Sequence, residues 1–137
     1  MLCYYFFIFI DQCADELIQM NEEDDQYFIT TPNYPSLYDN DLSCIWRFTT
    51  NNSSGIIFII RIFQFDLETG YDLLRVGSGS EIDPASVVAV LSSDSFPNKI
   101  AIDDTDMWML FTSDYALAKS GLFLAVETTS LKEKGKI

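Results

Sequence analysis

Histidine is absent from the chain, and its absence removes several common chemistries at once. Without an imidazole there is no histidine general base, no histidine zinc ligand and no histidine-based catalytic triad. The chain has 3 cysteines, too few for a thiolate zinc site to be expected. These absences narrow the catalytic chemistries open to the chain, and we expect no enzymatic activity.

Basic residues are scarce, since Lys and Arg number 8 against 21 Asp and Glu, and the net charge is −13. Such a chain repels phosphate backbones, so we expect no nucleic-acid partner. An excess of carboxylates favours divalent cations or basic proteins as partners. Ordinary solvation of the surface accounts for much of the charge as well.

No segment shows a sustained helical period. Short strand-like runs separated by turn signals predict an all-β fold, an antiparallel β-sandwich of two sheets. At 137 residues the chain is one domain, long enough to bury a hydrophobic core.

The most informative run extends from Ile56 to Phe65, where only Arg61 and Gln64 are polar. β-Branched and aromatic residues dominate it, which predicts a long central strand. Simple alternation puts Ile56, Phe58, Ile60 and Ile62 on one face, and Ile57, Ile59, Phe63 and Phe65 on the other. Both faces are apolar and need cover. A turn at Thr69-Gly70 then follows, with three carboxylates around it: Asp66, Glu68 and Asp72.

The first residues, Leu2 to Ile10, form an unbroken apolar run. The run is too short to span a bilayer, but its length is typical of the apolar region of a secretory signal. No Lys or Arg precedes it and no clear small-residue cleavage site follows it, so a buried first strand or a truncated chain start stays open. We expect residues 1–12 to be a leader, and we expect no membrane span.

The cysteines and the sequons favour a secreted or extracellular location. If the leader is removed, Cys3 leaves with it, and Cys13 and Cys44 remain as one possible disulfide pair. If the leader stays, Cys3 is an odd thiol. Asn51 and Asn52 begin two overlapping N-x-Ser sequons in a polar turn, which predicts a glycoprotein.

Six short motifs follow one another along most of the chain. They are P-N-Y-P-S-L-Y at 32–38, C-I-W at 44–46, F-D-L-E at 65–68, Y-D-L-L-R-V at 71–76, F-T-S-D at 111–114 and G-L-F at 121–123. In this order and spacing they resemble a CUB domain. The resemblance implies a jelly-roll-like sandwich of two antiparallel sheets over residues 13–129, with a tail or linker at 130–137.

Many CUB domains carry a calcium site at one end of the sandwich, and the resemblance implies the ligands Tyr38, Glu68, Asp72 and Asp114. Three carboxylates with a phenolic or carbonyl oxygen and water suit Ca²⁺, which takes six to eight oxygens. Three like charges held together would otherwise repel one another. Glu68 and Asp72 are closer in sequence here than is usual in the family, so the shortened turn could direct Glu68 away from the ion.

The family's second disulfide is absent, because its two cysteine positions, before Tyr71 and near Leu91, hold other residues. Cys13 and Cys44 match the family's first disulfide.

The expected function is therefore a secreted protein-binding module. As the resemblance to calcium-binding CUB domains implies, Ca²⁺ would order the loops at 34–38, 66–72 and 114–120, and the acidic end would accept a Lys or Arg of an extracellular partner protein. The expected partner-binding residues are Tyr38, Glu68, Asp114 and Tyr115. Two alternatives stay open. One is a carbohydrate-binding sandwich with a tyrosine platform for a glycan (Tyr34, Tyr38, Tyr71 and Tyr115), and the other is a structural spacer cut from a larger extracellular protease.

Overall fold

The computed structural model of the chain describes residues 13, 15–50 and 55–130. These residues form nine β-strands. The strands are β1 (Glu16–Gln19), β2 (Gln26–Thr30), β3 (Ser43–Thr49), β4 (Ile56–Asp66), β5 (Leu73–Ser78), β6 (Val87–Leu91), β7 (Lys99–Ile102), β8 (Asp106–Thr112) and β9 (Gly121–Ser130). A short 3-10 helix, Pro84–Ser86, precedes β6. The expected leader, both sequon asparagines (Asn51 and Asn52) and the tail after Ser130 lie outside the described residues.

The strands form two sheets that face each other. One sheet has five strands in the order β1-β3-β8-β5-β6, and the other has four in the order β2-β9-β4-β7. Every pairing is antiparallel except that of β1 with β3, which is parallel. The all-β sandwich of two sheets is thus confirmed. No helix in the described part of the chain has the length and apolar character needed to cross a bilayer.

The core fills the space between the sheets. β3 contributes Trp46 and Phe48, β8 contributes Phe111, and β9 contributes Leu124, all of them buried. Each side chain of this size stabilises the fold by about 1.5–3 kcal/mol when it is fully removed from water. The alternation of C-I-W-R-F-T in β3 accounts for the inward position of Trp46.

The central strand β4 carries a bulge that simple alternation does not predict. Its register with β9 shifts between Ile62 and Gln64. Phe65 therefore lies in the core, while Phe63 is 53% exposed. Placing Phe65 on the same face as Ile57 and Ile59 was wrong, because a bulge inserts one residue and reverses the facing of those that follow it.

Cys13 and Cys44 form a disulfide that ties the start of the described chain to β3. The two residues are 31 positions apart in the sequence. Closing a loop of this size stabilises the fold by about 3–4 kcal/mol in the chain-entropy account. The pair predicted from the cysteine positions is confirmed.

Candidate metal centre

The turn between β4 and β5 brings two of the predicted ligands together. β4 ends at Asp66, and the buried Leu67 fixes the start of the turn, where its backbone N–H donates to Ser93 Oγ at 2.7 Å. The N–H of Asp72 then donates to the carbonyl oxygen of Glu68 at 3.0 Å. Gly70, with φ of 84°, takes the left-handed conformation that this tight turn needs. The four-residue spacing thus closes a turn that holds Glu68 and Asp72 on one side.

Asp114, directly after β8, completes the group. Its N–H donates to Asp72 Oδ1 at 2.9 Å, and its carbonyl oxygen accepts from the N–H of Asp41 at 2.7 Å. One carboxylate oxygen from each of Glu68, Asp72 and Asp114 lies within 4.8 Å of the others. The shortened turn therefore keeps Glu68 beside the other two acids.

Tyr38 contacts two of the three acids and is only 2% exposed. Its hydroxyl donates to Asp72 Oδ2 at 2.5 Å and accepts from the backbone N–H of Glu68 at 3.1 Å. The ring packs edge-on against Phe111, with 5.2 Å between the ring centroids. Burial and the hydrogen bond to Asp72 raise the pKa of Tyr38 well above its ordinary value, so the phenol stays neutral. Its clearest role is to fix the Asp72 carboxylate and the start of the turn.

Glu68 is an acid of this group whose carboxylate is buried and whose pKa is raised. The residue is 7% exposed, and its Oε1 is buried without a hydrogen-bond partner in the described structure. Burial raises the pKa of Glu68, and the neighbouring Asp114 and Asp72 raise it further, whereas Lys119 lowers it. An unpartnered buried carboxylate oxygen beside two more carboxylates is costly unless a proton or a cation neutralises the charge.

The donor set fits a hard cation. The oxygens available are those of Glu68, Asp72 and Asp114; the chain has no histidine, and the described residues place no thiolate in this group. Oxygen-only ligation with several carboxylates is what Ca²⁺ prefers. These three residues could hold the ion, and Tyr38 would hold Asp72 in place.

Asp66, the last residue of β4, has a different role from the other two acids of this turn. Asp66 Oδ2 accepts from Ser120 Oγ at 2.7 Å and from the Ser120 N–H at 3.2 Å. The carbonyl oxygen of Lys119 accepts from the N–H of Tyr38 at 3.0 Å. Asp66 therefore anchors the 114–120 loop against β4, and this loop in turn holds the segment at Tyr38. Sequence reasoning grouped Asp66 with the other acids and had no signal for the anchoring role.

The predicted contact residues differ widely in exposure. Tyr115 is 81% exposed and Asp114 is half-buried, whereas Tyr38 and Glu68 are buried. The tyrosines do not form one platform, because Tyr38 is inside and Tyr34 packs against Phe123 of β9 at 6.0 Å between ring centroids. A partner at this end of the sandwich would therefore meet Asp114 and Tyr115 first.

Known proteins resemble the chain in both sequence and fold. The sequence model of the CUB domain family matches residues 13–125. The dorsal-ventral patterning protein tolloid of Drosophila melanogaster is 27% identical over 100 residues, which cover 72% of this chain and 9% of tolloid. The chain spans 3–14% of the length of the curated relatives it matches.

Two solved structures share the fold. The MASP-1 CUB2 domain bound to Ca²⁺ is 21% identical with a TM-score of 0.68, and the match covers 83% of this chain and 98% of that one. The full extracellular region of zebrafish Gpr126/Adgrg6 is 22% identical with a TM-score of 0.70, and the match covers 88% of this chain and 15% of that one. Since the family model covers most of the chain and the two-sheet architecture agrees with it, the chain belongs to the CUB domain family.

Proposed function

We propose that the chain is a secreted, non-enzymatic binding module whose acidic loop end is ordered by Ca²⁺ and binds a basic residue of a partner protein. The observation that carries the proposal is the buried, unpartnered Oε1 of Glu68 beside the carboxylates of Asp72 and Asp114. A similar fold occurs in a MASP-1 CUB2 domain bound to Ca²⁺.

Three loops meet at these acids, which explains how a cation would act on the whole end of the sandwich. Glu68 and Asp72 belong to the 66–72 loop, Asp114 begins the 114–120 loop, and Tyr38 ends the 34–38 loop. The bound ion would supply the positive charge that three neighbouring carboxylates lack. Affinity on the order of 10⁻⁴–10⁻³ M is typical of extracellular calcium modules.

The partner contact would involve the exposed side of the same acids. Half-buried Asp114 and exposed Tyr115 form the outer rim, and a lysine or arginine placed there would make a charge-assisted hydrogen bond to the Asp114 carboxylate. Such a contact weakens as salt increases. The Glu68 and Tyr38 side chains, also predicted as contacts, would act through the geometry of the rim because they are buried.

An extracellular location is supported by two observations. A disulfide between Cys13 and Cys44 is typical of oxidising compartments. The fold also recurs in the extracellular region of Gpr126/Adgrg6. The sequons at Asn51 and Asn52 agree with this location and stay a prediction.

Thermal unfolding of the full chain in CaCl₂, MgCl₂ or EGTA tests the metal part. With the affinity given above, about 10 mM Ca²⁺ should stabilise the fold by about 1.4–2.7 kcal/mol, a rise in Tm of several degrees. Glu68→Gln keeps the side-chain volume and removes the charge, so it should abolish the rise. Glu23→Gln, at an exposed position, removes the same charge elsewhere and should keep it. A full calcium response in Glu68→Gln would contradict the site, and no response in the wild type would remove the metal from the proposed function.

Peptides carrying a central lysine, arginine or leucine test the partner part. The basic peptides should bind in calcium, lose affinity in EGTA, and lose affinity with Asp114→Asn. Equal binding of the leucine peptide would show that the rim does not select a cation.

A further inference from the structure

The outer face of the five-stranded sheet carries an apolar stripe with one cation in it. Cross-strand pairing aligns one residue from each of four neighbouring strands: Ile45, Leu110, Arg75 and Val90. Their chain neighbours Leu74 and Met109 lie in the core, so the stripe faces away from it. Val90, at the edge of the sheet, is 52% exposed.

A groove of about 410 Å³ runs along this stripe. Arg75 is the one charged residue in its lining. The residues around it are almost all aliphatic and include Ile82, Pro84, Val87, Val90 and Leu110. The volume is in the range of specific ligand sites, and such sites combine apolar walls with a few polar groups.

The wall of the groove is fixed in advance. Trp108 is buried over Gly77, where an added Cβ would lie 2.0 Å from the indole ring. The indole Nε1–H donates to Ser86 Oγ at 3.3 Å, and the Ser86 hydroxyl donates to the carbonyl oxygen of Asp83 at 2.9 Å. These contacts hold the 3-10 turn that carries Pro84 against the sheet. An occupant would therefore lose little free energy to ordering the wall.

Arg75 differs from the two arginines that form ion pairs. Arg47 pairs with Asp15 at 2.8 Å, and Arg61 pairs with Glu127 at 2.7 Å. Within the described chain, Arg75 makes no ion pair, and its one side-chain hydrogen bond runs from Nη1 to Thr112 Oγ1 at 3.4 Å. A half-buried guanidinium among aliphatic side chains is complementary to a carboxylate.

The edge strand β6 indicates the shape of the occupant. β6 has a strand neighbour on one side only within the described structure, and its sequence V-V-A-V-L carries no charge. Val88 and Val90 are both exposed. An uncharged, unpaired sheet edge is a template for the backbone of an added extended segment.

We propose that this groove binds an extended segment of a partner protein in which one acidic residue is flanked by aliphatic residues. The carboxylate lies on the Arg75 guanidinium, and the aliphatic side chains lie against Val87, Val90 and Leu110. This surface selects the opposite charge to the acidic loop end, and its binding is independent of Ca²⁺.

Fluorescence anisotropy with labelled nine-residue peptides tests the proposal on the full chain. The peptides alternate valine and leucine around a central glutamate, glutamine or lysine. The glutamate peptide should bind at least tenfold more tightly than the other two, equally in calcium and in EGTA. Arg75→Gln should reduce its affinity about tenfold, to the level of the glutamine peptide.

Two variants serve as controls. Arg61→Gln removes an arginine from the other sheet and should leave peptide binding unchanged. Val90→Glu should weaken binding, because it places a negative charge in the groove that repels the glutamate of the peptide. Unfolding curves verify that each variant is folded.

Several results would overturn the proposal: no binding of the glutamate peptide, equal affinity for the glutamate and glutamine peptides, or an Arg75→Gln variant that binds like the wild type. Binding of decanoate without any peptide binding would identify a lipid as the occupant. Self-association that depends on Arg75, measured by sedimentation, would identify a second copy of the chain instead. Because all peptide measurements are repeated in EGTA, failure here is independent of failure of the calcium site.

Discussion

Two acidic clusters in this molecule look alike in composition and differ in structure. One is the calcium-site candidate, Glu68, Asp72 and Asp114, and the other, Asp103, Asp104 and Asp106, lies at the start of β8 and in the turn that leads into it. In the second cluster Asp104 Oδ2 accepts from Ser78 Oγ at 2.6 Å. Thr105 Oγ1 donates to Asp106 Oδ2 at 2.6 Å.

The difference between the clusters is the supply of hydrogen-bond donors. Burial acts to raise the pKa of Asp104, but hydrogen bonds from Ser78 and from the backbone N–H groups of Asp106 and Thr105 together lower it. The pKa of Glu68 is raised, and its Oε1 has no donor in the described structure. The charge of the Glu68 cluster is thus less well compensated by protein donors than the charge of Asp104.

The variant Asp72→Ala gives the largest expected effect and tests the difference between the two clusters most directly. The change leaves the Tyr38 hydroxyl and the Asp114 N–H without their acceptor, and each buried group left unpaired costs about 1–3 kcal/mol. We therefore expect lower stability in calcium and in EGTA, with a further loss in calcium because the ion loses a ligand. Chemical denaturation in both media measures the two parts separately.

Asp104→Ala is the matched control for that experiment. It removes an acceptor that Ser78 and the Asp106 N–H use, so it should lower stability by the same amount in calcium and in EGTA. If Asp104→Ala also removed the calcium response, the distinction between the clusters would be lost.

Ser78→Ala should have a smaller effect, about 0.5–1.5 kcal/mol, because it deletes one donor to Asp104. Since the pKa of Asp104 is lowered in the folded chain, the contribution of this carboxylate is present above its ordinary value of 3.8 and is lost as pH falls through the folded pKa. Ser78→Ala should therefore weaken the acid sensitivity below pH 3.8 as well as the stability above it. Urea unfolding between about pH 3 and pH 6 checks both effects. If the loss of stability below pH 3.8 were the same in Ser78→Ala as in the wild type, the role of Ser78 would be contradicted.

Most strands follow from local sequence, and the exceptions have clear physical reasons. Runs such as Lys99–Ile102 and Asp106–Thr112 are bounded by turn residues and rich in β-formers. β1 does not follow from local sequence, because it has four residues, of which only Ile18 is buried, and its parallel partner β3 is distant in the sequence. The bulge after Ile62 could not be predicted from the alternation of side chains, because that pattern assumes that no residue is inserted into the strand.

The candidate site was predicted through the resemblance and not from local pattern. Tyr38 and Asp114 are far apart in the sequence, and only the closed sandwich brings them to Asp72. The resemblance could not indicate that the Tyr38 hydroxyl is committed to Asp72, or that Asp66 holds Ser120, because both depend on how neighbouring loops cross. The Arg75 groove had no sequence signal, since composition does not tell whether an arginine faces a carboxylate.

The smallest expected effect concerns the pH dependence of the metal-free chain. The folded pKa of Glu68 lies above its ordinary value of 4.5, so the folded state holds a proton that the unfolded state releases. Stability should then fall as pH rises from about 4.5 through the folded pKa, because the unfolded state binds fewer protons over that interval. Asp104, whose pKa is lowered, changes stability only below pH 3.8. Tyr27 and Tyr38, whose pKa values are raised, change it only above pH 10.0. These three residues therefore do not contribute to the slope between pH 4.5 and pH 7. Glu68→Gln should flatten the slope of Tm between about pH 4.5 and pH 7 in EGTA, while Glu23→Gln should retain it. A slope that persists in Glu68→Gln would mean that a group other than Glu68 causes it, and the contrast in pKa between the two clusters would lose its support.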